Sequence, residues 1–125
     1  MDHSKRESKN MIIKKLRKTE PVVMDGGEVS GIYFFPMNTR KDGAPNFAMR
    51  LFEIKPLGHT PKHTHGWEHE VVIISGSGYV LKEDEKISIE KDDFILVPPG
   101  LLHQFQAGKE GMSMVCVVPN EGQPK

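Results

Sequence analysis

The chain has 125 residues, in which 17 basic and 17 acidic side chains cancel and Cys116 is the single cysteine. That is enough chain for one domain burying roughly two-thirds of its unfolded surface without staples; the lone cysteine excludes an internal disulfide framework, and the balanced charge gives no electrostatic reason to expect nucleic acid or an anionic membrane as partner. No apolar stretch approaches the roughly 18 residues that span a bilayer and no hydrophobic leader opens the chain, so the expectation is a cytoplasmic protein that handles a small-molecule ligand or substrate.

Residues 1–10 are polar throughout and carry too little apolar surface to offset the entropy of ordering, which predicts a disordered tail ahead of one domain over 11–125. Met11 to Lys18 reads as a short edge strand or one helical turn, with lysines that would guard an edge. From Pro21 the pattern is β with punctuation: a turn at Gly26-Gly27, a strand over Val29–Phe35 closed by Pro36, a loop over Asn38–Asn46, and a strand over Phe47–Lys55 ended by Pro56 and Gly58. Val71–Ile74 is apolar at every position and predicts an interior strand covered on both faces. Ser75-Gly-Ser-Gly78 predicts a turn. Tyr79–Lys82 and Ile87–Glu90 then form a hairpin with a charged tip at Glu83–Lys86, Phe94–Val97 a further strand, and Pro98-Pro-Gly100 a rigid corner before strands at Leu101–Gln106 and Gly111–Val118. Short strands with a turn every eight to twelve residues describe a sandwich or barrel and not a βαβ repeat.

Four of the six histidines, His59, His63, His65 and His69, fall within one short stretch ahead of the Val71 strand. Neutral imidazole carries a free lone pair at physiological pH, so such density points to a metal site. On an extended segment His63 and His65 leave the same face about 6.7 Å apart at the α-carbon, while His69, of the same parity, would sit roughly 13 Å beyond His65. Ligation at about 2.0–2.1 Å from each nitrogen therefore requires a bend between them, and Gly66 is placed to make it. His103 enters from the Pro98–Gly100 corner with Leu101 and Phe105 on its face. His3 and His59 read as surface or hydrogen-bonded residues, and Trp67 as packing at the bend rather than part of a pocket. Cys116 reads as a small buried hydrophobe that would line the cavity if it shares a face with Met114.

Residues 56–76 and 92–107 resemble the two motifs of the cupin superfamily, roughly Gly-x5-His-x-His-x3–4-Glu-x6-Gly and Gly-x5-Pro-x-Gly-x2-His-x3-Asn, with His63, His65, Gly76, Pro98, Gly100 and His103 on matching positions. The resemblance implies an all-β, single-domain, double-stranded β-helix barrel of jelly-roll type. It places the metal-ligand glutamate of the first motif on His69 or Glu70; counting back from Gly76, and parity with His63 and His65, both select His69, which makes Glu70 an outlying or exposed residue. Asp92 stands where the second motif has glycine and Ala107 where it has asparagine. Gly43 to Phe52, His65-Gly-Trp-Glu-His69 and Cys116 to Gly122 further resemble small bacterial and archaeal single-domain cupins that hold manganese through four histidines. That resemblance implies one divalent ion, manganese first, with iron, nickel, zinc and copper also suited to imidazole. It also implies a homodimer paired through strands within residues 11–35. The expected pocket is lined by Arg50, Phe52, Phe105, Met114 and Cys116.

Four neutral imidazoles leave the charge of a divalent ion uncompensated, and in cupins of this kind two coordination positions stay open. The arrangement suits polarising a carbonyl or enolate oxygen, or bringing dioxygen beside an electron-rich substrate. The expectation is a manganese- or iron-dependent dioxygenase-like enzyme acting on a small enol, diketone or phenol. Two other readings compete: a metal-stabilised binding or sensing module without turnover, since no general base is evident beside the ligands, and a sugar isomerase or epimerase, which would want charged groups such as Arg50 inside the barrel.

Overall fold

In the computed structural model residues 11–122 are described, apart from the Arg40 side chain; the tail expected over 1–10, with His3, lies outside the described residues. Regular structure is almost all strand: β1 (Val22–Gly26), β2 (Val29–Pro36), β3 (Phe47–His59), β4 (His69–Lys82), β5 (Glu85–Glu90), β6 (Phe94–Val97) and β7 (His103–Pro119), with single 3-10 turns at Arg40–Asp42 and Asn120–Gly122. All pairings are antiparallel, in the order β1-β2-β3-β7-β4-β5, with β6 added to β4. This is the expected all-β jelly-roll barrel. No helix among the described residues is long and apolar enough to cross a membrane.

The long central strand β7 organises the barrel. It pairs with β3 from Phe47↔Pro119 to Ile54↔Met112, and with β4 from Glu70↔Val117 to Lys82↔His103. Its inward side chains are Phe105 and Ala107 in the first half, then Met112, Met114, Cys116 and Val118 in the second. The parity changes between Ala107 and Met112, so the strand changes face at the Gly108–Gly111 segment where the sequence predicts two separate strands. The partner strand β4 does the same across Ser75–Gly78. Its register shifts twice there, and the turn predicted over those residues is instead a pair of bulges inside one strand. Gly76 makes this possible: its φ is +76°, and a β-carbon would collide with the Gly111 carbonyl.

Other expectations are corrected. Pro56 and Gly58 do not end β3, which runs on to His59 through an irregularity in its pairing with β7. Val72 is 41% exposed while Val71 and Ile73 are fully buried, so this strand is covered on one face and not on both. Leu101 and Leu102 precede β7 instead of belonging to it. Met11 to Lys18 is neither strand nor helix: it is irregular up to a turn closed by Lys18 N–H donating to the Lys15 carbonyl at 3.2 Å, with the Lys14 ammonium bonded to the Met37 carbonyl and the Asp42 carboxylate. Asp92, in the glycine position of the second motif, holds a left-handed φ of +79° and donates its N–H to the Ile73 carbonyl at 2.8 Å. Aspartate is among the few side chains that tolerate that region, which is how the turn survives the substitution.

Candidate metal centre

The segment from Thr60 to Glu68 is held against the start of β7 by backbone bonds. Thr60 N–H donates to the Phe105 carbonyl, and its hydroxyl accepts the Phe105 N–H, both at 2.9 Å. His63 and His103 exchange backbone bonds at 3.1 Å in each direction, and Gly100 N–H donates to the His65 carbonyl at 2.8 Å. The Pro98–Gly100 corner thus ties the two histidine-bearing segments together. His63 and His65 are therefore not on a continuous strand, as their spacing suggests; an isolated bridge carries His63, and the bend needed before His69 falls at Gly66–Trp67.

The result is that His63, His65, His69 and His103 each bring a ring nitrogen to one point, all within 4.8 Å of one another. Their outer nitrogens are largely spoken for. Nδ1–H of His65 donates to the Trp67 carbonyl at 2.9 Å, Nδ1–H of His103 donates to the Leu101 carbonyl at 2.8 Å, and Nδ1 of His69 lies 3.2 Å from Cys116 Sγ. Those bonds fix the tautomers of His65 and His103 and turn their Nε2 lone pairs inward. Nε2 of His65 and of His69 lie 2.5 Å apart, and Nε2 of His103 is buried with no partner among the described residues. A convergence of imidazole lone pairs with a buried orphan nitrogen is what a divalent cation would satisfy, and four imidazoles are a donor set suited to several transition metals. The residues fit such an ion.

Burial, followed by the charges of neighbouring histidines and Arg50, pulls the pKa of His63 down to about 4 and that of His69 down to about 3. Burial also lowers His103, against the opposing bond to Leu101. Depression of this kind keeps the rings neutral at pH 7, as ligation requires. Glu70 is exposed on the outer face of β4, while its neighbour His69 is 8% exposed on the inner one. His59 is not among the converging rings. It sits half-buried on β3, Nδ1 near the Thr60 carbonyl and the Gln104 side chain.

The four rings form one wall of a cavity of about 230 Å³, whose lining includes Arg50, Phe52, Phe105, Met114 and Cys116, the five residues expected there. It also includes Ile32, Phe34, Thr60 and Trp67, which were not expected. Ile32 and Phe34 share the inward parity of β2, a signal present in the sequence. Trp67 corrects its reading as packing alone: the indole stacks on His65 at 4.7 Å with planes 4° apart, and so both lines the cavity and orients a candidate ligand. Arg50 is 7% exposed and lies over the rings of Phe34 and Phe52 at 5.7 and 5.4 Å, with Nη2 at 3.3 Å from Cys116 Sγ. Burial raises the Cys116 thiol pKa despite the guanidinium beside it, so the sulfur is a neutral thiol at pH 7.

Residues 50–118 match the family model of the Cupin domain. Over 74 residues, 58% of this chain, the sequence is 30% identical to 1-methylthio-D-xylulose 5-phosphate methylsulfurylase of Rhodospirillum rubrum, and the chain spans 47% of that relative's length. The solved structure of the polyketide cyclase RemF from Streptomyces resistomycificus superposes with a TM-score of 0.83 at 25% identity, covering 92% of this chain and 83% of that one. A predicted oxalate decarboxylase from Thermotoga maritima superposes at 0.78 with 13% identity, over 86% of this chain and 98% of that one, a likeness of fold alone.

Proposed function

The chain belongs to the cupin family, and from that premise we propose that it is a metal-dependent, dioxygenase-like enzyme acting on a small enol, diketone or phenol, with manganese or iron held by His63, His65, His69 and His103. The observation that carries this reading is the convergence of four imidazoles, one with an unpartnered buried nitrogen, on the wall of a largely apolar cavity. A bound ion would supply polarisation of a carbonyl or enolate oxygen and, with a redox-active metal, a route for electrons to dioxygen. The protein's own residues present neutral imidazoles, hold His65 and His103 in one tautomer through backbone carbonyls, and select substrate shape with Phe52, Phe105 and Met114. No carboxylate is among the described residues that line the cavity, which favours substrates already enolised or phenolic over those that need a carboxylate base.

A second reading is favoured by the relatives, whose names, polyketide cyclase and methylsulfurylase, denote reactions other than oxygenation: the same site would activate a carbonyl compound without oxygen uptake. One experiment separates the two. The protein is purified, its metal measured by elemental analysis, and oxygen consumption followed with acetylacetone and catechol as probes, beside His103→Ala as control. Uptake that requires His103 supports the oxygenase; metal-loaded protein that binds the chelators and leaves oxygen untouched supports the second reading; protein that binds neither metal nor chelator overturns both.

A further inference from the structure

Among the described residues the lining of the cavity holds one permanently charged side chain, Arg50, and no acid to neutralise it. Arg50 is 7% exposed, and among the described residues its Nε is buried without a hydrogen-bond partner and Nη2 has only a neutral thiol, Cys116, at 3.3 Å. A guanidinium cannot shed its proton to escape such a site, and an unpaired buried charge is costly enough that buried arginines are normally matched by an anion. The two aromatic rings beneath it, Phe34 and Phe52, stabilise the cation but offer no lone pair to its N–H groups.

We propose that Arg50 is an anion subsite and that the cavity takes a short oxo acid, its carboxylate paired with the guanidinium while the keto or enol oxygen faces the four histidines. Only the second half rests on reading those histidines as metal ligands; the carboxylate half stands without it. The spacing suits a compact molecule, because Arg50 and the histidine cluster are linked through one thiol and one imidazole: Cys116 Sγ lies 3.3 Å from Arg50 Nη2 and 3.2 Å from Nδ1 of His69, whose Nε2 faces the other rings. The volume of about 230 Å³ lies below the range of about 300–1,000 Å³ usual for drug-sized ligands. A planar carboxylate matches the guanidinium fork, whereas a phosphate dianion finds no second lysine or arginine among the described residues of these walls.

The test is calorimetric titration of the full chain, metal-loaded and metal-stripped, with acetoacetate, its neutral methyl ester and inorganic phosphate, on the wild type, Arg50→Met and Arg50→Lys. We expect acetoacetate to bind at least about tenfold tighter than the ester. That preference should vanish in Arg50→Met, return in part in Arg50→Lys, and persist in weakened form without metal, while elemental analysis shows the variants loading as much metal as the wild type. Acid and ester binding equally to the wild type overturns the assignment, even if Arg50→Met fails to fold. So does an acid preference that survives Arg50→Met, or phosphate outcompeting acetoacetate. A wild-type protein that carries no metal yet still prefers the acid supports Arg50 while sinking the reading of the histidines.

Discussion

Separate replacement of His69 and Glu70 by alanine decides which of two adjacent side chains holds an ion. Neighbours on a strand leave opposite faces, and here His69 is buried inside the barrel at 8% exposure while Glu70 is exposed outside it. Zinc held by four ligands in a small protein site is worth about 10–16 kcal/mol at neutral pH, or roughly 3 kcal/mol per ligand if shared equally. At about 1.4 kcal/mol per decade, losing one ligand weakens affinity about a hundredfold. His69→Ala also removes the ring stacked on His65 at 4.4 Å and the partner of the Cys116 thiol, so the hundredfold figure is a lower estimate. Glu70→Ala leaves the affinity unchanged and shifts stability by less than about 0.5 kcal/mol, as exposed positions usually do. Competition against a chromophoric chelator, with metal content from elemental analysis, reads both. If Glu70→Ala empties the site and His69→Ala keeps it full, the strand faces the other way in solution and the reasoning fails.

Three further outcomes are expected. Burial sets the folded-state pKa of His63 at about 4 and of His69 at about 3, against 6.5 when unfolded, so the unfolded chain binds more protons in between; metal-free protein is fully stabilised above about pH 6.5 and loses stability as pH falls toward 4. Urea midpoints in the presence of a chelator should be lower at pH 5 than at pH 7.5, and equal midpoints contradict the desolvation of the buried His69 ring and of the ring of His63, which is exposed as a residue but sits against the other histidines. Trp67→Ala, which removes the indole stacked on His65, should weaken metal binding about tenfold, as loss of outer partners of metal ligands does, with Trp67→Phe recovering most of it; no change in affinity would show that the stack orients nothing. Gly76→Ala forces a side chain into a left-handed φ of +76° and against the Gly111 carbonyl, at a cost of at least about 2 kcal/mol, measurable by chemical denaturation, and a wild-type midpoint would mean that the bulge is not there.

Much of the barrel was legible because its turns are written in Pro, Gly and charged residues at local spacing: the Pro98–Gly100 corner falls where those residues predict, the turn expected at Gly26-Gly27 lies one residue on at Gly27-Glu28, and the tip expected over Glu83–Lys86 narrows to Glu83-Asp84 because Glu85 and Lys86 already pair with Lys82 and Leu81. The misreadings have a common cause. Glycines that make a turn also make a bulge, and Ser75–Gly78 and Gly108–Gly111 lie opposite one another on paired strands, where the choice between the two is made by the paired strand and not by either segment alone. Local pattern therefore breaks each long strand in two. The stretch over residues 11–18 was illegible for a different reason: its conformation depends on the bonds of Lys14 to Met37 and Asp42, more than twenty residues away.

The four converging histidines were legible because three lie in one short stretch and the fourth follows a rigid corner, so that spacing and turn chemistry carry most of the geometry. Roles that depend on a neighbour across the sheet were not. Trp67 looks like filler until the bend stacks it on His65, and Thr60 carries no signal that its hydroxyl will accept the Phe105 N–H. Arg50 lies between these cases. It is in phase with Ala48, Phe52 and Ile54 on β3, and a charge at an inward parity among apolar residues already marks a position where burial must be compensated. What parity could not supply is the pairing of Arg50 with Cys116 across β3 and β7, which puts a neutral thiol where a carboxylate would otherwise neutralise the guanidinium. A barrel that buries a cation opposite a cluster of metal-fitting imidazoles, with no acid among the described residues of the walls between, has placed its positive charge for a ligand that arrives negative.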